Sequence, residues 1–335
     1  MTHGAYILGC AGTALTPDEA AFFKEARPWG FILFQRNIET PEQTRALTDA
    51  LRASVGWDAP VLIDQEGGRV QRMWPPTWRA YPPALDQGPL GARAMYLRSR
   101  LIAEELRTIG IDTNCAPLCD IARADTHPFL RNRCYADSVA GVIDLARAVV
   151  AGQGDGGVLS VMKHMPGHGR SQLDTHKALP VVTESAQTLR DTDFAPFKAL
   201  AGAVGMGMTA HLIFEAFDPD LPATTSQVMH GVLRDEIGFG GLLMTDDLSM
   251  EALSGSVADR SRASLDAGCD VILHCNGILT EMEAVATEAG KLSALAQTRA
   301  EAALARRQTP DDVDMAALAA EFDALLASQG ASQAR

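Results

Sequence analysis

Short apolar runs alternate with helix-patterned stretches along almost the whole chain. Eight runs read as buried strands: Tyr6 to Leu8, Gly30 to Phe34, Pro60 to Ile63, Ile111 to Cys115, Val158 to Met162, Val204 to Met208, Gly241 to Thr245 and Asp270 to Leu273. The segments between them carry helical periodicity, which predicts helices over Pro17 to Arg27, Pro41 to Val55, Leu90 to Ile109, Val139 to Gly152, Ser185 to Gly202, Ser226 to Ile237 and Ser256 to Ala267. Thr16 before Pro17 and Thr40 before Pro41 supply start signals, a capping hydroxyl followed by proline in the first turn. Strand followed by helix, repeated, is the order of parallel βα units. The pattern predicts an α/β protein built as a single (β/α)8 TIM barrel, with a doubly wound open sheet as its rival. The rival loses ground because no Gly-x-Gly-x-x-Gly follows the first run. The Ala-rich stretch from Glu281 to Leu326 reads as extra C-terminal helices, so that residues 1–327 form the barrel domain and 328–335 a flexible tail.

With 47% of its 335 residues hydrophobic and 21% charged, the chain can fill a large core, which excludes a disordered or fibrous protein. The net charge of −13, from 29 basic against 42 acidic residues, argues against nucleic acid or an anionic membrane as partner but leaves room for a local basic pocket. None of the apolar runs reaches the length of a membrane span. Six cysteines without a Cys-x-x-Cys pair read as free thiols of a reducing compartment, so the expected location is cytoplasmic.

In a barrel the loops after the strands' C-terminal ends form the functional face. Asp64, Gln65 and Glu66 follow the third run, Lys163 and His164 the fifth, His211 the sixth, and Asp246 and Asp247 the seventh. Charge placed after an apolar strand is costly unless it meets partners or water, so these positions point to one convergent polar pocket. Taken singly, each is better read as a helix cap or a surface-loop residue. The segment from Lys163 to His176 departs most from background, holding three of the chain's eight histidines among Pro and Gly. One reading is metal binding by His164, His168, Asp174 and His176. Against it, Pro166 and Gly167 interrupt any helix that could place His164 and His168 on one face. A second reading pairs Asp174 with His176, since residues i and i+2 of an extended backbone share a side and the carboxylate can orient the imidazole for proton transfer. A third is a structural loop. Spacing alone leaves all three open.

Three segments in order, Ile63 to Arg72 (Ile-Asp-Gln-Glu-Gly-Gly-Arg-Val-Gln-Arg), Lys163 to Gly169 followed by Asp174-Thr175-His176, and Thr245 to Met250 (Thr-Asp-Asp-Leu-Ser-Met), resemble the β-N-acetylglucosaminidases of glycoside hydrolase family 3. Phe34 to Asn37, Ala116 to Leu118 with Asp120, and Met208 to His211 leading to Leu221 to Ser226 extend the similarity, which runs from about Gly9 to Cys275. Carried over by position, the resemblance implies Asp246 as nucleophile and His176 with Asp174 as the acid/base pair. It implies Asp64, Arg72, Arg133, Lys163 and His164 as sugar-binding residues. Asp247 is then a structural neighbour that caps the following turn, and His168 shapes the loop. Cys134 and Thr175 depart from the family pattern, which commonly has Ser at both places; neither change removes a functional group named above.

The resemblance further implies a retaining hydrolysis without metal or organic cofactor. Asp246 would form a glycosyl-enzyme while His176 protonates the departing sugar and later deprotonates water. The substrate implied is a small carbohydrate or muropeptide with terminal β-linked N-acetylglucosamine, such as N-acetylglucosaminyl-anhydro-N-acetylmuramic acid from recycled cell wall. A monomer or weak homo-oligomer is expected. The rival readings are a metal-dependent hydrolase, transfer to phosphate on the same scaffold, and a sugar-binding protein without turnover.

Overall fold

The computed structural model describes residues 2–173 and 179–333, the last four by their helical backbone alone. Eight parallel strands form the centre: β1 (Gly4–Leu8), β2 (Pro28–Leu33), β3 (Val61–Ile63), β4 (Thr113–Asn114), β5 (Leu159–Met165), β6 (Met206–Thr209), β7 (Leu242–Met244) and β8 (Ile272–His274). Their order in the sheet is β7-β6-β5-β4-β3-β2-β1-β8. A parallel bridge between Met244 and Val271 joins the two ends and closes the barrel. Every residue of β1, β2 and β3 is buried, because barrel strands are covered by side chains inside and by helices outside, which is why they read as unbroken apolar runs.

The helix starts follow their local chemistry. Thr16 Oγ1 accepts from Glu19 N at 3.1 Å while the Glu19 carboxylate accepts from Thr16 N at 2.9 Å, a reciprocal capping box ahead of the helix Pro17–Ala26. Thr40 Oγ1 caps Pro41–Val55 by accepting from Gln43 N at 3.1 Å. The last three helices, Leu279–Ala289, Ala294–Leu304 and Met315–Gln333, occupy the Ala-rich region, and the final one continues helical past Ser328 to Gln333. That helix is tied down: Phe322 is fully buried near Tyr81, and Arg93 makes a two-pronged ion pair with Glu321. No helix among the described residues is long and apolar enough to cross a membrane.

Several boundaries differ from the sequence pattern for physical reasons. β5 runs on through Lys163 and His164, which the pattern places after the strand, because both side chains meet buried partners there. β4 is reduced to two residues, yet Asp112 N and Cys115 N still donate to Val61 O and Ile63 O, so the rungs continue beyond it. The helix anticipated over Ser185 to Gly202 divides into Ala186–Asp191 and Ala195–Leu200, with Pro196 in the first turn of the second, where its missing N–H costs nothing. A small sheet of Val181–Val182, Ile213–Phe214 and Asp218–Pro222 is an addition, too short in each strand to leave a periodic signal.

Candidate active site

A cavity of about 200 Å³ opens at the C-terminal ends of the barrel strands, lined among others by Phe34, Asp64, Arg72, Arg133, Lys163, His164, Asp246 and Asp247. The register of the barrel explains this convergence. Asp64 follows β3, Lys163 and His164 end β5, Asp246 follows β7, and Phe34 follows β2. β5 shifts register against β6 between Met162 and Met165, and such an irregularity re-aims side chains, which lets consecutive residues both serve the pocket.

Its floor is a network of ion pairs. Lys163 Nζ lies 2.7 Å from both Asp64 Oδ1 and Glu66 Oε1. Arg72 reaches Asp64 Oδ2 at 3.0 Å, and Arg133 holds both oxygens of Glu66 at 2.9 and 2.8 Å. Burial alone pushes the carboxyls of Asp64 and Glu66 up. The cations beside them, Lys163 and Arg72 for the first and Arg133 and Lys163 for the second, outweigh burial and hold both below the usual carboxylate range. Burial pulls the Lys163 ammonium down, but Asp64 and Glu66 raise it above its ordinary value, so it stays charged.

The loop carrying Asp64 is locked from below. Gln65 N donates to Asn114 Oδ1 and Asn114 Nδ2 donates to Gln65 O, both at 3.0 Å, while Gln65 Oε1 accepts from Arg72 N at 2.8 Å. Gly67 and Gly68 have φ of 95° and 59°, and a Cβ on Gly67 would lie 2.1 Å from Arg98 Nη2. Only glycine makes this turn without strain or collision.

A second group orients His164. Its Nδ1 stands 2.8 Å from Asp120 Oδ2, and its Nε2 lies 3.5 Å from Arg133 Nη2. Asp120 Oδ1 accepts from His168 N at 2.7 Å. Donor atoms of Asp120, His164 and His168 lie within 4.8 Å of one another, and both ring nitrogens of His168 lack hydrogen bonds among the described residues. Both Asp120 oxygens are nevertheless engaged by N–H groups and Arg133 brings a positive charge alongside, so the cluster suits hydrogen bonding better than a cation. Burial, then the neighbouring His164, push the His168 imidazole down to about 3.

Asp246 differs from the other carboxylates of the cavity. Its one hydrogen bond among the described residues comes from Asp247 N at 2.8 Å, and its flanks face His164 and His211. Burial raises its pKa, and these imidazoles with the Asp247 N–H more than reverse that, so it stays ionised. Asp247 is spent on structure: it accepts from Ser249 N and Oγ and from Cys275 N. His211 is satisfied on both sides, by Thr224 Oγ1 at 2.7 Å and by the Asp247 carbonyl at 3.2 Å, and burial pulls its imidazole below the ordinary value. It braces the turn that carries Asp246.

Asp64, Arg72, Arg133, Lys163, His164 and Asp246 thus surround one cavity. Asp174 and His176 lie outside the described residues, on the segment between Leu173 and Leu179. Sequence reasoning gave no role to Asp120 or to the pairing of Glu66 with Arg133 and Lys163. The signal for Glu66 was its place two residues after Asp64, on the same side of an extended segment.

Residues 12–309 match the profile of the glycosyl hydrolase family 3 N terminal domain. A protein named beta-hexosaminidase from Alkalilimnicola ehrlichii is 40% identical over 286 residues, 82% of each chain. NagZ from Neisseria gonorrhoeae, solved in complex with N-trifluoroacetyl-D-glucosamine, aligns with a TM-score of 0.84 at 28% identity and covers 98% of both chains. A glycoside hydrolase family 3 beta-N-acetylglucosaminidase from Paenibacillus aligns with a TM-score of 0.85 at 30% identity, over 92% of this chain and 63% of that one.

Proposed function

The chain belongs to glycosyl hydrolase family 3, and from that premise we propose that it is a retaining exo-β-N-acetylglucosaminidase working through a covalent glycosyl-Asp246 intermediate. The observation that carries this is the contrast among the pocket's carboxylates. Asp64, Glu66 and Asp247 are each held by several partners, whereas Asp246 is ionised with one oxygen taking no hydrogen bond from any described residue. A retaining glycosidase needs such a carboxylate facing the anomeric carbon. Asp64, Lys163, Arg72, Arg133 and His164 provide the acceptors and donors for ring hydroxyls and an acetamido group, and the N-trifluoroacetylglucosamine complex of the Neisseria protein supports an N-acylated sugar.

His176, oriented by Asp174, supplies the proton to the departing oxygen and takes one from water in the second step. The substrate is terminal β-linked N-acetylglucosamine on an anhydro-N-acetylmuramic acid fragment, with or without peptide, met in the cytoplasm during recycling of cell wall. Six buried free thiols agree with a reducing compartment.

The test combines products and leaving groups. N-acetylglucosaminyl-β-1,4-anhydromuramic acid should release N-acetylglucosamine with retained anomeric configuration, and added phosphate should not divert it to the sugar phosphate. His176→Ala should lose roughly 10² to 10⁴ in the first step with the disaccharide and much less with a nitrophenyl glycoside, which leaves without a proton. An inverted first product, or an equal loss with every leaving group, would refute the mechanism.

A further inference from the structure

Three cations that line the cavity, Lys163, Arg72 and Arg133, each sit on a carboxylate of the floor, half-buried Asp64 or buried Glu66. Arg69 also lines the cavity, but it is exposed and makes no ion pair among the described residues. Its guanidinium carbon lies 4.4 Å from the centre of the Phe129 ring, and Nη1 approaches the Phe129 carbonyl at 3.4 Å. Those contacts occupy one face and at most one N–H, leaving the rest of a planar five-donor group at the mouth of the pocket.

The position of Arg69 is built, not loose. Gly67 and Gly68 precede it in left-handed conformation, Glu66 N and Gly67 N both donate to Val70 O at 2.9 and 3.0 Å, and Gly68 N donates to Tyr81 O at 2.9 Å. A cation held by such a turn loses little conformational freedom when it takes a ligand. In a chain of net charge −13, a cation whose charge is unspent at the rim also offsets the general repulsion of an anion.

We infer that Arg69, stacked on Phe129, is a specificity-determining residue that binds a carboxylate on the leaving group. This rests on the glycosidase reading: with the terminal sugar on the floor between Asp64 and Asp246, what projects to the rim is the departing half of the substrate. The carboxylate can belong to the lactyl ether of the leaving sugar or to a peptide attached to it, and the substrates below separate these sources.

The experiment measures kcat/KM for three disaccharides that differ only at the lactyl group: the free acid, its methyl amide, and the amide to a peptide with a free C-terminal carboxylate. In the wild type the free acid should exceed the methyl amide. In Arg69→Gln that ratio should fall about three- to tenfold, the range for a partly exposed charge-assisted contact, with Arg69→Lys between the two. Recovery of the preference by the peptide-bearing form would assign the contact to the peptide. Ratios of the free acid and of the peptide-bearing form to the methyl amide that are both unchanged in Arg69→Gln would overturn the inference. Calorimetric titration of free acid and methyl amide into Asp246→Asn, with and without Arg69→Gln, reads the same discrimination without turnover. If the sugar binds but no form is hydrolysed by the wild type, the glycosidase reading fails; if both forms bind alike with and without Arg69, this inference fails.

Discussion

Buried carboxylates paired with arginines occur at both ends of the barrel, and at the C-terminal end they surround the cavity that holds Asp246. At the N-terminal end, Asp112 precedes β4, meets Arg52 at 3.5 Å and Arg307 at 2.7 Å, and accepts from Val61 N at 2.9 Å. Asp270 precedes β8, is held by Arg234 at 2.7 Å and Arg299 at 2.8 Å, and accepts from Leu243 N at 2.8 Å. Both knots tie strand starts to helices, with each carboxylate oxygen consumed. At the C-terminal end the same residue types leave atoms over: one Asp246 oxygen and the donors of Arg69. A buried ion pair is therefore no sign of function by itself; the sign is the polar atom that the fold positions and does not use.

The sharpest way to separate the two ends is to remove one carboxylate from each. Asp246→Asn should lose about 10³-fold or more in kcat while unfolding stability stays within about 0.5 kcal/mol of wild type. Asp270→Ala should do the reverse, costing about 3 to 5 kcal/mol because two arginines and a backbone N–H lose their partner, with kcat/KM of the folded fraction within about twofold. Urea unfolding and steady-state kinetics on both variants decide it. A large kinetic defect in Asp270→Ala would mean that the two ends are coupled rather than distinct.

A subtler contrast is in pH. The His168 imidazole is held down to about 3 by burial and by His164, so the unfolded chain takes up that proton first as pH falls. Because the folded value lies below the unfolded one, near 6.5, stability is lost from about pH 6.5 downward, by about 2 kcal/mol at pH 5 from this residue. Buried His211, His230 and His274 shift the same way. The depressed carboxyls of Asp64 and Glu66 add their own loss only below about pH 4.5. His168→Gln should thus show a shallower fall between pH 7 and 5 than wild type, and identical slopes would refute the account. The smallest effect is expected from chelation: prolonged dialysis against a chelator should leave turnover intact. Loss restored by zinc or manganese would instead give the Asp120, His164 and His168 cluster a catalytic metal.

The barrel was legible because its strands bury both faces, so eight apolar runs separated by helical periods sufficed to anticipate the topology. Periodicity misjudged the end of β5, where Lys163 and His164 look like loop residues until their distant partners are known. The pairing of Glu66 with Arg133 and of Asp120 with His164 depends on which strands become neighbours, information that spacing along one chain does not carry. The candidate residues themselves were readable through motif similarity, and what the sequence could not convey was which of their atoms are already engaged. Arg69 illustrates this, since nothing in Gly67-Gly68-Arg69-Val70 distinguishes an available guanidinium from one locked to a carboxylate.

The closure of the barrel has a consequence for how Asp246 is held. Between β7 and β8 side chains add rungs to the backbone ladder: Leu273 N donates to Thr245 Oγ1 at 2.9 Å and Cys275 N to Asp247 Oδ1 at 3.1 Å. Asp246 lies between those two residues in sequence. The seam is therefore fastened in part by the residues on either side of Asp246, like a clasp with that carboxylate at its pin. Movement of the seam at these rungs would therefore also move Asp246, and a ligand that fixes Asp246 would steady the seam.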